Sequence, residues 1–181
     1  MKKVLVPLAD GFEAIEAVTI IDVLRRSGVE VVVAGLHEGS AQGSHGVSVM
    51  PDQLIDRVQG RDYDMVVLPG GQPGVDHLRQ DARVIGLVRS MKKEGKVIGA
   101  ICAAPLVLRD AGLAAGIQLT SHPSVESELS ASDYQKTRVV TDGKIITSRG
   151  PGTAMEFALT LVEILAGPQK VRELSAAMLT P

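Results

Sequence analysis

The chain has 181 residues, 45% of them apolar, with one cysteine, no tryptophan, two phenylalanines, two tyrosines and a formal net charge of −2. That length suits a single domain over residues 1–181 with a substantial core, and a near-neutral charge without a basic run gives no general attraction to nucleic acid. A lone cysteine excludes an intrachain disulfide framework and fits a reducing, cytoplasmic setting, and no segment approaches the roughly 20 apolar residues of a membrane span.

Val4–Leu8 reads as a short strand; its apolar run is too brief for a signal peptide and soon meets Asp10 and Glu13. The spacing then predicts a helix over Glu13–Arg26, ended by Gly28, and a strand over Glu30–Gly35. Val47–Met50 reads as a hairpin arm or edge strand before Pro51, and Asp64–Leu68 as a strand running into Pro69-Gly70-Gly71. A helix over Ala82–Glu94 precedes a strand over Lys96–Ala100 and a helix over Ala103–Ala111, closed by Gly112. Ile117–Thr120 is a further strand, and Arg138–Val140 pairs with Lys144–Thr147 across Asp142-Gly143 as a hairpin. Thr153–Ala166 and Gln169–Met178 complete the chain as helices. Repeated β–α alternation predicts a mostly parallel sheet with helices on both faces.

The stretch Ser148-Arg149-Gly150-Pro151-Gly152-Thr153 invites a phosphate-loop reading, but no Gly-Lys-Ser/Thr follows and no GxGxxG is present. Thr153 and Glu156 instead have capping-box spacing.

Cys102 lies where a predicted strand gives way to a predicted helix. Pro105 is tolerated only in a helix's first turn, which places the helix start almost at Cys102. Free N–H groups and the helix dipole would then favour thiolate, so a pKa below neutrality is expected. The commoner fate of a lone cysteine is inert burial, but this setting favours reactivity.

In an open parallel sheet, functional groups gather at the carboxyl ends of strands. Besides Cys102, Gly70-Gly71, His122 and the pair Glu13 and Glu16 all follow predicted strands. On a helical wheel both glutamates fall in the apolar sector, where a carboxyl tends to keep its proton. Glu13 has a structural alternative as a cap with Asp10; Glu16 has none. Backbone N–H groups of Gly70, Gly71 and Ala103 are candidate donors to an oxyanion, and His122 is weighed evenly between a turn residue and a catalytic group. The remaining histidines show no metal-ligand spacing, so no metal site is expected.

Three segments in series carry a resemblance: Val67-Leu68-Pro69-Gly70-Gly71, Ala100-Ile101-Cys102-Ala103-Ala104-Pro105, and Thr147-Ser148-Arg149-Gly150-Pro151-Gly152-Thr153. With Gly11-Phe12-Glu13-Ala14-Ile15-Glu16, they resemble the ThiJ/PfpI superfamily. Within it they look like the branch of the Parkinson-disease-associated protein deglycase and its bacterial relatives. The resemblance implies a flavodoxin-like three-layer sandwich, a homodimer, and no metal or organic cofactor. It implies Cys102 as nucleophile, Glu16 as its protonated partner, Gly70 and Gly71 over the sulfur, and His122 nearby. Arg26 matches one arginine of an anion-binding spot in that branch, while His45 stands where the other is expected. Peptidase-like relatives place histidine after the nucleophile; Ala103 stands there, which disfavours peptidase activity. The expected function is a cysteine enzyme acting on methylglyoxal-type carbonyls or their early adducts on amino groups, of glyoxalase or deglycase type. The competing reading is a redox-sensing or chaperone-like stress protein acting through oxidation of Cys102.

Overall fold

A computed structural model describes residues 1–180 of the chain. Its main sheet contains β1 (Lys3–Leu8), β2 (Glu30–Gly35), β5 (Gln53–Leu54), β6 (Met65–Leu68), β7 (Val97–Ile101), β10 (Val139–Asp142) and β11 (Ile145–Ser148). The spatial order is β10-β11-β7-β6-β1-β2-β5, parallel throughout except for β10 against β11. The chain starts near the middle of the sheet, builds outward through β2, then crosses to the other side of β1 at β6. Such a reversal leaves a crevice at the strands' carboxyl ends.

Successive side chains of a strand face opposite ways. Val4, Val6, Met65 and Val67 therefore enter one core with α1 (Ala14–Arg26) and α5 (Ala154–Ala166), while Leu5, Val66, Leu68 and Ile98 enter the other. That second core is closed by α2 (Gly74–Gln80), α3 (Ala82–Lys93) and α4 (Pro105–Asp110). Helix α6 (Pro168–Met178) joins the first layer, burying Leu174. The result is the expected flavodoxin-like three-layer arrangement.

Local departures have local causes. Helix α2 escapes the sequence reading because it is only seven residues long and opens on Pro73-Gly74. The segment around Val47 forms β4 (Ser48–Val49), which pairs with β3 (Ala41–Gln42) outside the main sheet; β5 is the true edge. The strand predicted at Ile117–Thr120 shrinks to β8 (Gln118–Leu119), paired with β9 (Asp133–Tyr134) in a separate ribbon. His122 thus follows a strand, but not one of the main sheet. Thr153 makes no side-chain cap for α5. Its Oγ1 accepts from the N–H groups of Arg149 (3.2 Å) and Gly150 (3.1 Å), and Glu156 pairs with Arg138. The predicted capping box is instead a clasp on the preceding loop.

Candidate active site

Glu16 lies on the buried stripe of α1 with Ala17, Ile20, Val23 and Leu24, in the first turn of the helix. Its side chain is wholly buried. Oε2 accepts the Gly70 N–H at 2.8 Å, while Oε1 is buried with no hydrogen-bond partner. Burial pushes the carboxyl up to about 7, with the charge of Glu13 adding to it and hydrogen bonds from Cys102 and Gly70 opposing it. Glu16 is therefore poised to hold or release a proton near neutrality. Glu13 differs: it caps α1, its Oε1 accepting the Ile15 N–H at 3.2 Å. Asp10 plays no part in that cap; its carboxylate accepts from the Gln42 N–H and contacts His37.

A carboxyl raised from 4.5 to about 7 has a signed consequence for stability. Between those values the folded chain holds a proton that the unfolded chain releases. The stabilisation is complete below pH 4.5 and is lost as pH rises through about 7, a span worth roughly 3 kcal/mol. Thermal melts from pH 4.5 to 8 should show this decline in wild type and a shallower one in Glu16→Gln. Parallel curves for the two proteins would show that Glu16 titrates normally.

Cys102 directly follows β7, half-buried, at φ 65°. Left-handed backbone is uncommon outside glycine and marks strained, functional turns. The conformation is held by Cys102 N–H donating to Ser148 O at 3.0 Å and His122 N–H donating to Cys102 O at 2.8 Å. Two neighbouring strands and the His122 turn thus fix one sulfur. Helix α4 starts only at Pro105, so the predicted helix-start setting is corrected: Cys102 precedes the first turn. The expected low pKa is corrected with it. Burial pushes the thiol up to about 12, with the Glu16 charge and the Glu16 hydrogen bond adding, against the N–H groups of Gly71 and Ala103. Two of those raising causes belong to ionised Glu16. Thiol and carboxyl therefore titrate as a coupled pair.

The two glycines divide their work differently from the expectation. Gly70 N–H is committed to Glu16, so the donors to sulfur are Gly71 and Ala103. A Cβ on Gly70 would overlap Cys102 Cβ and come to 2.5 Å from Glu16 Oε2, which excludes any side chain.

His122 is exposed at the rim. Its Nδ1 accepts the Ser124 N–H at 3.2 Å and lies 2.7 Å from Ser124 Oγ. A backbone N–H can only donate, so the proton of neutral His122 resides on Nε2. The ring edge carrying Cδ2 faces Gly150. Sequence reading overlooked Ser124 and Gly150, since neither residue type signals this geometry.

Arg26 does not join this cluster as expected, and His45 reaches it only through Glu13. Arg26 is exposed and bound to Asp22 at 2.7 Å, ten residues and roughly 15 Å along α1 from Glu16. His45 is exposed, with Nδ1 near Ser44 Oγ at 3.0 Å and Glu13 Oε2 at 3.4 Å. Among the described residues no group of acidic, histidine or cysteine side chains is arranged to hold a metal, and no helix is long and apolar enough to cross a membrane.

Known proteins resemble the chain in sequence and in fold. Protein dj-1beta of Drosophila melanogaster is 46% identical over 98% of this chain and 97% of its own length. A crystal structure of Drosophila melanogaster DJ-1beta superposes with a TM-score of 0.96 at 44% identity, covering 99% of this chain and 98% of that one. The Caenorhabditis elegans protein named glutathione-independent glyoxalase DJR-1.2 is 37% identical over 94% of this chain and 91% of its own. The profile of the DJ-1/PfpI family matches residues 2–164. With the family profile, the sequence identity and the fold in agreement along nearly its whole length, the chain belongs to the DJ-1/PfpI family.

Proposed function

We propose that the protein is a cofactor-independent cysteine enzyme that converts small 2-oxoaldehydes such as methylglyoxal to 2-hydroxy acids, and acts on their early adducts with amino groups once the C–N bond breaks and the free amine leaves the aldehyde. The supporting observation is the pairing of Cys102, on strained backbone, with a fully buried Glu16 whose Oε1 is unpartnered. The name of the nematode relative points the same way.

Sγ attacks the aldehyde carbon, forming a C–S bond while the carbonyl electron pair moves to oxygen. The thiol proton passes through Glu16 to that oxygen, giving a thiohemiacetal. The N–H groups of Gly71 and Ala103, already directed at sulfur, steady the alkoxide as it forms. Glu16, again a carboxylate, then takes the proton from this carbon. Redelivery of that proton to the neighbouring carbon, while the hydroxyl proton of the first carbon passes to the second oxygen, oxidises the first carbon and reduces the second, giving a thioester. Nε2–H of His122 donates to the second oxygen during this exchange. Water cleaves the thioester, releasing the 2-hydroxy acid and restoring the thiol.

The test is lactate formation from methylglyoxal by purified protein without glutathione. Stoichiometric lactate with catalytic turnover is expected. If none forms, the redox-sensing reading takes its place, with the same N–H groups receiving the oxygens of a sulfinate.

A homodimer is part of the proposal. Helix α1 packs on the sheet and on α5, yet leaves Ile15 58% and Val18 44% exposed, beside Met50 at 69%. A second copy of this face is the simplest cover. Light scattering at micromolar concentration should give the mass of two chains, and Val18→Glu should shift it toward one. A wild-type mass of one chain would rule the dimer out.

A further inference from the structure

Two walls of the Cys102 niche are glycines, and different constraints act on them. Close packing forbids a side chain at Gly70. Gly150 is buried too, but its φ of 164° is extended backbone open to any residue. A Cβ there would meet only His122 Cδ2 at 3.6 Å and Glu16 Oε1 at 4.0 Å within contact range. Both are ordinary van der Waals separations, so neither backbone nor packing requires glycine. The missing side chain leaves space, bounded by the unpartnered carboxyl oxygen on one side and the imidazole edge on the other. No atom of Cys102 lies within 4 Å of that point, so the space sits beside the nucleophile and not on its line of attack.

The wall is also held in place. Gly150 N–H donates to Thr153 Oγ1 at 3.1 Å, Thr153 N–H returns to Gly150 O at 2.9 Å, and Thr153 Oγ1 lies 2.7 Å from Ser148 Oγ. Ser148 in turn accepts the Cys102 N–H through its carbonyl. A methyl group added at Gly150 would subtract volume and not displace the loop.

We infer that Gly150 sets the size of substrate this site accepts. The volume it leaves open holds the second carbonyl carbon and its substituent, between Glu16 Oε1 and His122. The class of substrate is then a 2-oxoaldehyde bearing hydrogen or one small alkyl group on the ketone carbon. The inference rests on the carbonyl reading above for the identity of the ligand, but its geometry stands without it.

The experiment is Gly150→Ala against wild type with glyoxal, methylglyoxal and phenylglyoxal. The variant should melt close to wild type and keep kcat/KM for glyoxal within about threefold, while losing at least about tenfold more on phenylglyoxal, with methylglyoxal between. Equal losses on all three, or no loss on any, would overturn the inference. So would a variant that fails to fold, because the argument requires that a methyl group fits. Alkylation of Cys102 by iodoacetamide and by N-phenylmaleimide separates this from failure of the carbonyl reading. Gly150→Ala should slow the bulky reagent more than the small one even if wild type turns over no dicarbonyl. An unchanged ratio of the two alkylation rates would sink the inference whatever the turnover assays show.

Discussion

Cys102→Ser should reduce lactate formation from methylglyoxal to the uncatalysed background while leaving the melting temperature close to that of wild type. Serine has the same shape and meets the same φ of 65°, so the turn gains no new strain. What changes is the attacking atom: a hydroxyl is a far weaker nucleophile than sulfur at neutral pH. The elevated thiol pKa makes the dependence on Glu16 explicit. A thiol pushed up to about 12 supplies little free thiolate at neutral pH, so attack requires its proton to leave as the C–S bond forms. Retention of substantial turnover by Cys102→Ser would remove covalent catalysis and leave a general-base mechanism on water.

Glu16→Gln should lower kcat by about 10²–10⁴-fold, the range for loss of a positioned acid–base group. The amide oxygen can still accept the Gly70 N–H, so the niche keeps its shape; what it loses is the ability to take a proton and return it. Glu13→Gln is the control. Its side chain caps α1, so the expected effect is a stability loss of up to about 1 kcal/mol with kcat little changed. Comparable kcat losses in both variants would dissolve the distinction between the cap and the proton carrier.

The contrast between these glutamates shows what patterning makes legible. Glu16 sits on the same helical stripe as Ile20 and Leu24, so periodicity alone placed it toward the core. The alternation of β-branched runs with helical segments likewise gave the sheet and its two covering layers, because each period reports a face that must be buried. The position of Cys102 after a strand was legible for the same reason.

The electrostatics of Cys102 were not legible. Burial of the thiol, with the Glu16 charge and hydrogen bond beside it, reverses the expected direction of the pKa shift, and the helix begins at Pro105 and not at the cysteine. Burial and through-space charge depend on which segments meet, and Glu16 and Gly70 are 54 residues apart. The roles of Gly70, Ser124 and Gly150 were hidden similarly. A backbone N–H committed to a carboxylate, a tautomer fixed two residues away, and a space left by a missing side chain carry no periodic signature.

Sequence by itself determined the layers, the strand ends and the candidates, since hydrophobic period and turn chemistry are local properties of the chain. Only the tertiary structure decided that Glu16 and Cys102 titrate together, that Arg26 stands apart, and where space remains. Those outcomes follow from distances between segments remote in sequence, which no local pattern encodes.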